Sequence, residues 1–337
     1  MNKQFLTFFI FFCCSIVMLF AQDIHFSQFN RSYLNLNPAL TGDFDGDYRF
    51  NGNFKNQWSS VSEPYQTFSF AADARSPLDK MPQLHLGVVL FNDEAGLGGL
   101  KTTSFLVSGG YSLKLNYDSS LVAMAGLQLG FQARSINFSL FSFDQQYNGT
   151  EFDKNLPTGE NFDQNSYLNF ALNSGISFAY KQENRKTYSA GIAFYNMSSP
   201  NQSFEGSNIP LDLRITTSIS ADYILSEEID VLPALLFSSQ GTYRELIFGS
   251  EVRYRLNGIG FRQKNLYGGV FYRNRDALIL STGLDYDQWH FGASYDINIS
   301  DLEIASNNRG GLELAVTYIF KNFKPNIRRY KVCPDFM

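Results

Sequence analysis

The residues that first invite a search for chemistry are three histidines, three cysteines and a run of alternating aspartates. His25, His85 and His290 stand isolated, with no second ligand or nucleophile at the spacing of a metal site or a triad. No HExxH, CxxC, P-loop or GxSxG pattern occurs. A lipase or acyltransferase needs a Ser/His pair, and His290 near Ser294 is too generic to mark one. Asp43, Asp45 and Asp47 resemble the start of a calcium loop. An EF-hand loop also needs a bidentate Glu at its twelfth position, where Phe54 sits. The triplet reads instead as a polar turn. The sequence points to no enzyme: no catalytic residue, no metal ligand and no cofactor.

The cysteines lead elsewhere. Cys13 and Cys14 lie in the apolar stretch Phe5 to Phe20, which follows Lys3 and ends at Leu19-Phe20-Ala21. That order is a secretory signal peptide, residues 1–21, with cleavage near Ala21. Both cysteines come too early to carry a lipid at the cleavage point. Cys333 is then the one thiol of an exported chain, and one thiol makes no internal disulfide. Some other device must hold the mature protein together. Of the 27 Lys and Arg, 26 remain without Lys3, against 32 Asp and Glu, and no basic block appears. A nucleic-acid surface is excluded on that charge.

Mean hydropathy is -0.19, and past residue 21 no apolar run approaches the roughly 20 residues of a membrane helix. From residue 46 onward the apolar period is two. Leu312, Leu314, Val316, Tyr318 and Phe320 alternate with Glu313 and Thr317; Leu213, Ile215, Ile219, Tyr223 and Leu225 alternate with Arg214, Thr216, Ser218, Ser220 and Asp222. Each such strand has one greasy and one polar face. The segments exceed the usual soluble strand of about 5 to 6 residues. Their polar faces carry small residues and charges of both signs, and Tyr48, Trp58, Tyr65, Tyr180, Tyr188, Tyr267 and Tyr286 crowd the segment ends. These are the marks of a transmembrane outer-membrane β-barrel, all-β and antiparallel.

The pattern divides into fourteen segments: 46–58, 65–74, 84–93, 100–116, 120–135, 167–181, 186–197, 211–225, 228–241, 243–256, 263–274, 276–287, 288–299 and 309–321. Tight turns at 116–119, 182–185, 226–227 and 285–288 all fall on the starting side, and the long links 136–166, 198–210 and 300–308 on the other. Short turns mark the periplasmic side and long loops the outside. The longer inner turn 75–83 and the tight outer turns at 241–242 and 275 depart from that rule. The organisation expected is a signal peptide (1–21), a periplasmic N-terminal segment (22–45), the barrel (46–321) and a periplasmic C-terminal tail (322–337), with both end segments in the periplasm or tucked into the lumen. Inward positions include Arg49, Lys55, Asp73, Lys114, Arg214, Asp222, Glu251, Arg253, Arg255 and Glu313. Such mixed signs favour a network that fills the lumen over a selective pore lining.

Several words of the sequence are also familiar. Gln22-Asp23-Ile24-His25-Phe26-Ser27-Gln28, then Leu36-Asn37-Pro38-Ala39 and Gly42, resemble the mature N-terminus of the PorP/SprF family. These are type IX secretion-associated outer-membrane proteins of Bacteroidetes. The resemblance continues through Asn56-Gln57-Trp58, Asn92-Asp93-Glu94-Ala95-Gly96, Leu100-Lys101-Thr102-Thr103, Ala125-Gly126-Leu127-Gln128 and Leu213-Arg214-Ile215-Thr216-Thr217. It ends at Cys333-Pro334, where Asp335 replaces the family's Arg and Met337 is added. The resemblance implies a fourteen-stranded barrel in the outer membrane that serves secretion and gliding motility. Its implied partners are an exported adhesin, or other cargo with a type-B C-terminal signal domain, and periplasmic type IX components. His25, Phe26, Ser27, Gln28, Asn37, Pro38, Ala39, Cys333 and Pro334 are its signature residues.

Within that frame the 136–166 loop carries more apolar surface than a solvated loop needs, in Phe138, Phe141, Phe143, Tyr147 and Phe152. Such a patch marks a partner-binding site or packing over the barrel mouth. The rival reading is a general or substrate-selective porin, which requires an open lumen.

Overall fold

The computed structural model describes residues 26–57, 64–78, 80–96, 98–160, 162, 164–182, 186–204, 207–256, 264–300 and 309–321. The expected signal peptide, His25, Trp58, residues 301–308, Cys333, Pro334 and the tail 322–337 lie outside the described residues.

Fourteen strands account for the alternating segments: β1 (Tyr48–Gln57), β2 (Tyr65–Ala74), β3 (Leu84–Ala95), β4 (Leu100–Lys114), β5 (Leu121–Ser135), β6 (Ser166–Gln182) and β7 (Lys186–Tyr195), then β8 (Arg214–Ile224), β9 (Ile229–Gln240), β10 (Tyr243–Leu256), β11 (Lys264–Arg273), β12 (Ala277–Tyr286), β13 (Trp289–Asn298) and β14 (Arg309–Phe320). Each pairs antiparallel with its neighbours in sequence, and β1 also pairs with β14, from Tyr48 opposite Phe320 to Gln57 opposite Gly311. The sheet is closed. Closure satisfies the edge strands' backbone groups, which lipid cannot do.

Burial alternates with the opposite sense to a water-soluble sandwich. In β14, Leu312, Leu314 and Val316 are exposed while Glu313, Ala315 and Thr317 are almost fully covered. Large apolar side chains thus cover the outside and polar ones are sealed within, the arrangement an apolar solvent demands. Aromatic rings gather where the wall meets the short-turn rim: Trp289 on Tyr318 at 4.6 Å, Tyr180 on Tyr188 at 6.5 Å, and Tyr48 on Phe320 at 6.2 Å. Lys186 and Lys264 lie over the Tyr223 and Tyr286 rings at that rim, a position where a cation reaches headgroups and water.

The segment expected as a periplasmic N-terminal piece does not stay outside. From Phe26 it lies in the lumen, as a 3₁₀ turn (Phe29–Arg31), a one-turn helix α1 (Tyr33–Leu36) and a second 3₁₀ turn (Pro38–Leu40), before leading into β1. Phe26, Phe29, Leu34 and Ala39 are buried. The lumen supplies what these short turns lack: apolar cover and partners for backbone groups.

Candidate functional site

The lumen segment is held by side chains from around the barrel. In its outer half, the Ser27 and Gln28 backbone N–H groups donate to the two oxygens of Glu313 at 2.7 and 2.9 Å. The Ser27 hydroxyl donates to Asp296 and accepts from Arg273, each at 2.7 Å. Arg273 in turn lies 3.1 Å from Asp296 and 3.3 Å from Glu245. At mid-height, Phe29 shares an apolar cluster with Ala234, Leu236, Ile247, Phe271 and Ile279. Arg31 pairs with Glu251 at 3.0 Å with its guanidinium over the Tyr267 ring. Leu34 packs with Ala71, Val89 and Leu106, while its carbonyl accepts from Gln128 at 2.9 Å.

The turn Asn37-Pro38-Ala39 sits against β5, β6 and β7. The Asn37 amide donates to the carbonyls of Ile176 and Ile192 at 3.1 and 3.3 Å, and its oxygen accepts from the Ala39 N–H at 2.9 Å. Lower still, Thr41 meets Ser108 at 2.7 Å and the Gly42 N–H donates to Asp73. Asp73 also takes a bidentate contact from Arg49, and both are buried.

The inward charges named from the sequence therefore fall into several groups. Arg49 with Asp73 and Glu251 with Arg31 fix the lumen segment, and Glu313 binds it through backbone. Arg253 and Arg255 converge on Asp230 at 2.8 and 2.6 Å, with Asp222 3.3 Å from Arg253. Arg214 lies over the Tyr195 ring. Lys114 is exposed at the periplasmic rim. Asp230, Glu245 and Arg273, which the sequence did not single out, tie these groups together with Asp296, which alternation sets on the polar face of its strand.

Neither described histidine heads a reactive cluster. His85 bonds the Ser112 hydroxyl at 2.9 Å and accepts from the Ser76 N–H, and His290 meets Asp285 at 2.5 Å. Asp45 contacts Lys321 at the exposed rim. Among the described residues no three His, Cys, Asp or Glu side chains gather as a metal site.

At the outer mouth the 136–166 loop folds on itself. The Phe138 ring lies flat on Phe162, centroids 3.6 Å apart, and meets Phe204 edge-on at 5.9 Å. Phe143 packs at a tilt 5.8 Å from Phe162, and Tyr167 reaches Phe204 at 4.9 Å. Gln146 is buried, donating to the carbonyls of Lys154 and Leu156 and accepting from the Phe143 N–H. Tyr147 and Phe152 face each other across an isolated bridge. The five aromatic residues singled out in the sequence thus separate: Phe138 and Phe143 pack within the loop. Phe141 joins them, 6.4 Å from each of those rings and over Gly98, while keeping an exposed edge. Tyr147 and Phe152 are exposed, as is Leu140 at 55 %. Phe162 and Phe204, which complete the packing, were not foreseen.

Residues 18–318 match the family described as type IX secretion system membrane protein PorP/SprF. The chain belongs to the PorP/SprF family. That match spans the lumen segment and all but the last residues of the barrel, and it includes Phe26, Ser27, Gln28, Asn37, Pro38 and Ala39, all of which the lumen buries. Comparison with curated proteins gives no match. Among solved structures, this PorP/SprF chain is similar to the CymD monoaromatic hydrocarbon channel (12 % identity, 87 % of this chain and 93 % of that one, TM-score 0.49). It is similar also to a Pseudomonas aeruginosa FadL homologue (11 %, 86 % and 94 %, 0.48) and to BamA from Haemophilus ducreyi lacking POTRA domains 1–3 (9 %, 81 % and 70 %, 0.40).

Proposed function

We propose that this PorP/SprF protein is a non-enzymatic holder: its outer mouth binds an exported adhesin, or other cargo with a type-B C-terminal signal domain. Its periplasmic side, with the 322–337 tail, engages periplasmic type IX components. The observation that carries this reading is the exposed set Leu140, Tyr147 and Phe152, standing on a loop already packed by Phe138, Phe141, Phe143, Phe162 and Phe204. A loop with a core of its own does not need three more apolar side chains for stability. Preorganised aromatic anchors of this kind concentrate binding energy at protein interfaces.

The test replaces Leu140, Tyr147 and Phe152 together with Ser, leaving the packed rings untouched. The barrel should reach the outer membrane in normal amount while a large surface protein moves from the cell surface to the medium. Unchanged surface display with normal barrel levels contradicts the proposal for this loop.

A further inference from the structure

We infer that the lumen is a built peptide socket, occupied by the chain's own residues 26–42, and that this occupancy seals the barrel to ions and small solutes. The inference does not depend on the mouth binding cargo.

The socket is visible in the wall itself. Gly110 of β4 lies directly across from Gly126 of β5, and Gly126 directly across from Gly175 of β6. Gly175 is paired in turn with Ala193 of β7. A row without large side chains therefore crosses four strands at one level on the inner face. An interior strand glycine weakens a sheet and marks a close approach by another backbone. Here that backbone is present. A β-carbon on Gly126 would lie 2.2 Å from the Pro38 carbonyl, one on Gly175 2.0 Å from the Asn37 amide oxygen, and one on Gly110 2.7 Å from the Thr41 carbonyl. Gly292 on β13 leaves the same kind of room for Gln28, at 2.5 Å. Side chains at any of these positions would fill a groove that residues 28–41 now fill.

The charges are arranged to suit the same occupant. Glu313 receives two backbone N–H groups, Asp73 a third, and Glu251 receives Arg31. Buried carboxylates aimed at backbone donors are partners for a peptide, and water or a passing solute does not replace three fixed N–H groups at once. Across the middle of the lumen Asn51, Ser69, Ser108, Gln128, Asn173 and Ser294 are all buried. Water reaches the interior instead at the periplasmic end beside β8, where Ser220 is exposed.

The experiment measures conductance in planar bilayers. Full-length protein should insert without stepwise current. A chain lacking residues 26–41 should give discrete open steps, and a synthetic peptide of residues 26–42 should close them saturably. The same peptide carrying Asn37→Asp and Arg31→Ala should need at least tenfold more for half-closure. Stepwise current from the full-length protein equal to that of the deletion overturns the seal. So does a silent but folded deletion, and a peptide without effect overturns the socket. Should the deletion fail to fold, Gln128→Cys in a Cys333→Ser background answers the question in the full chain. That thiol, beneath the Leu34 carbonyl, should resist a water-soluble methanethiosulfonate until the barrel is unfolded, and prompt labelling of the folded barrel overturns the inference.

Discussion

Replacing Asn37 tests how the lumen segment is held. Its side chain is 1 % exposed, donates to two strand carbonyls at 3.1 and 3.3 Å, and accepts from the Ala39 N–H at 2.9 Å. Asn37→Ala removes three contacts of about 0.5–1.5 kcal/mol net each and leaves the Ala39 N–H without its acceptor. The segment should then dock less tightly by about 2–4 kcal/mol. Asn37→Asp keeps the shape and the acceptor but sets a carboxylate oxygen against two carbonyl oxygens in a dry site. Burying that charge without a counter-ion costs several kcal/mol, so the isosteric change should be the worse one, by about 3 kcal/mol or more. Acidification should narrow the gap, since a neutral carboxyl donates one hydrogen bond.

The assay follows trypsin cleavage after Arg31 in folded barrels, a readout of local opening rather than global unfolding. At tenfold per 1.4 kcal/mol, Asn37→Ala should speed cleavage roughly 30- to 700-fold. Asn37→Asp at neutral pH should exceed that. If Asp is tolerated as well as Ala, or if neither changes cleavage, the described hydrogen bonds do not hold the segment.

Three further outcomes follow from the wall and the lumen. Val316→Arg on the exposed face of β14 should cost about 2–4 kcal/mol on refolding into vesicles, and inward Ser218→Arg beside the wet end of the lumen much less; equal costs would contradict the membrane assignment. Arg49→Ala should cost about 3–5 kcal/mol because it strands the buried Asp73, whereas Arg49→Met with Asp73→Asn, which removes the charge and keeps an acceptor for the Gly42 N–H, should recover part of that loss in urea titrations. Cys333→Ser should leave the heat-modifiable gel shift of the folded barrel unchanged, and a lost shift would reveal an intermolecular bridge.

The wall was legible because one face of every strand meets an apolar solvent, so a period of two runs through each segment. β10 was placed at 243–256 from that alternation alone, matching Tyr243–Leu256. The lumen segment had no such period. Its turns are three or four residues long and are held from strands far along the chain, as Ser27 is by Glu313, 286 positions away. The inward charges were legible only where their strand alternated cleanly. Arg273 ends a strand whose inward positions include Tyr267 and Phe271, and aromatic residues on both faces hide the phase. Asp230 opens β9, which is close to a continuous apolar run. At the mouth the aromatic run from Phe138 was plain, but the split into packed and exposed rings depends on Phe162 and Phe204, which only the folded loop brings beside it.

The most direct test of the holder account places a photo-crosslinking amino acid at Tyr147, one of the exposed mouth residues, in living cells. The same probe at Val107, an outward residue of β4, is the control. The account predicts a high-mass adduct from Tyr147 that mass spectrometry resolves into this barrel and one exported protein with a C-terminal signal domain, and none from Val107. Adducts absent at Tyr147 in cells whose surface cargo is fully displayed would contradict it.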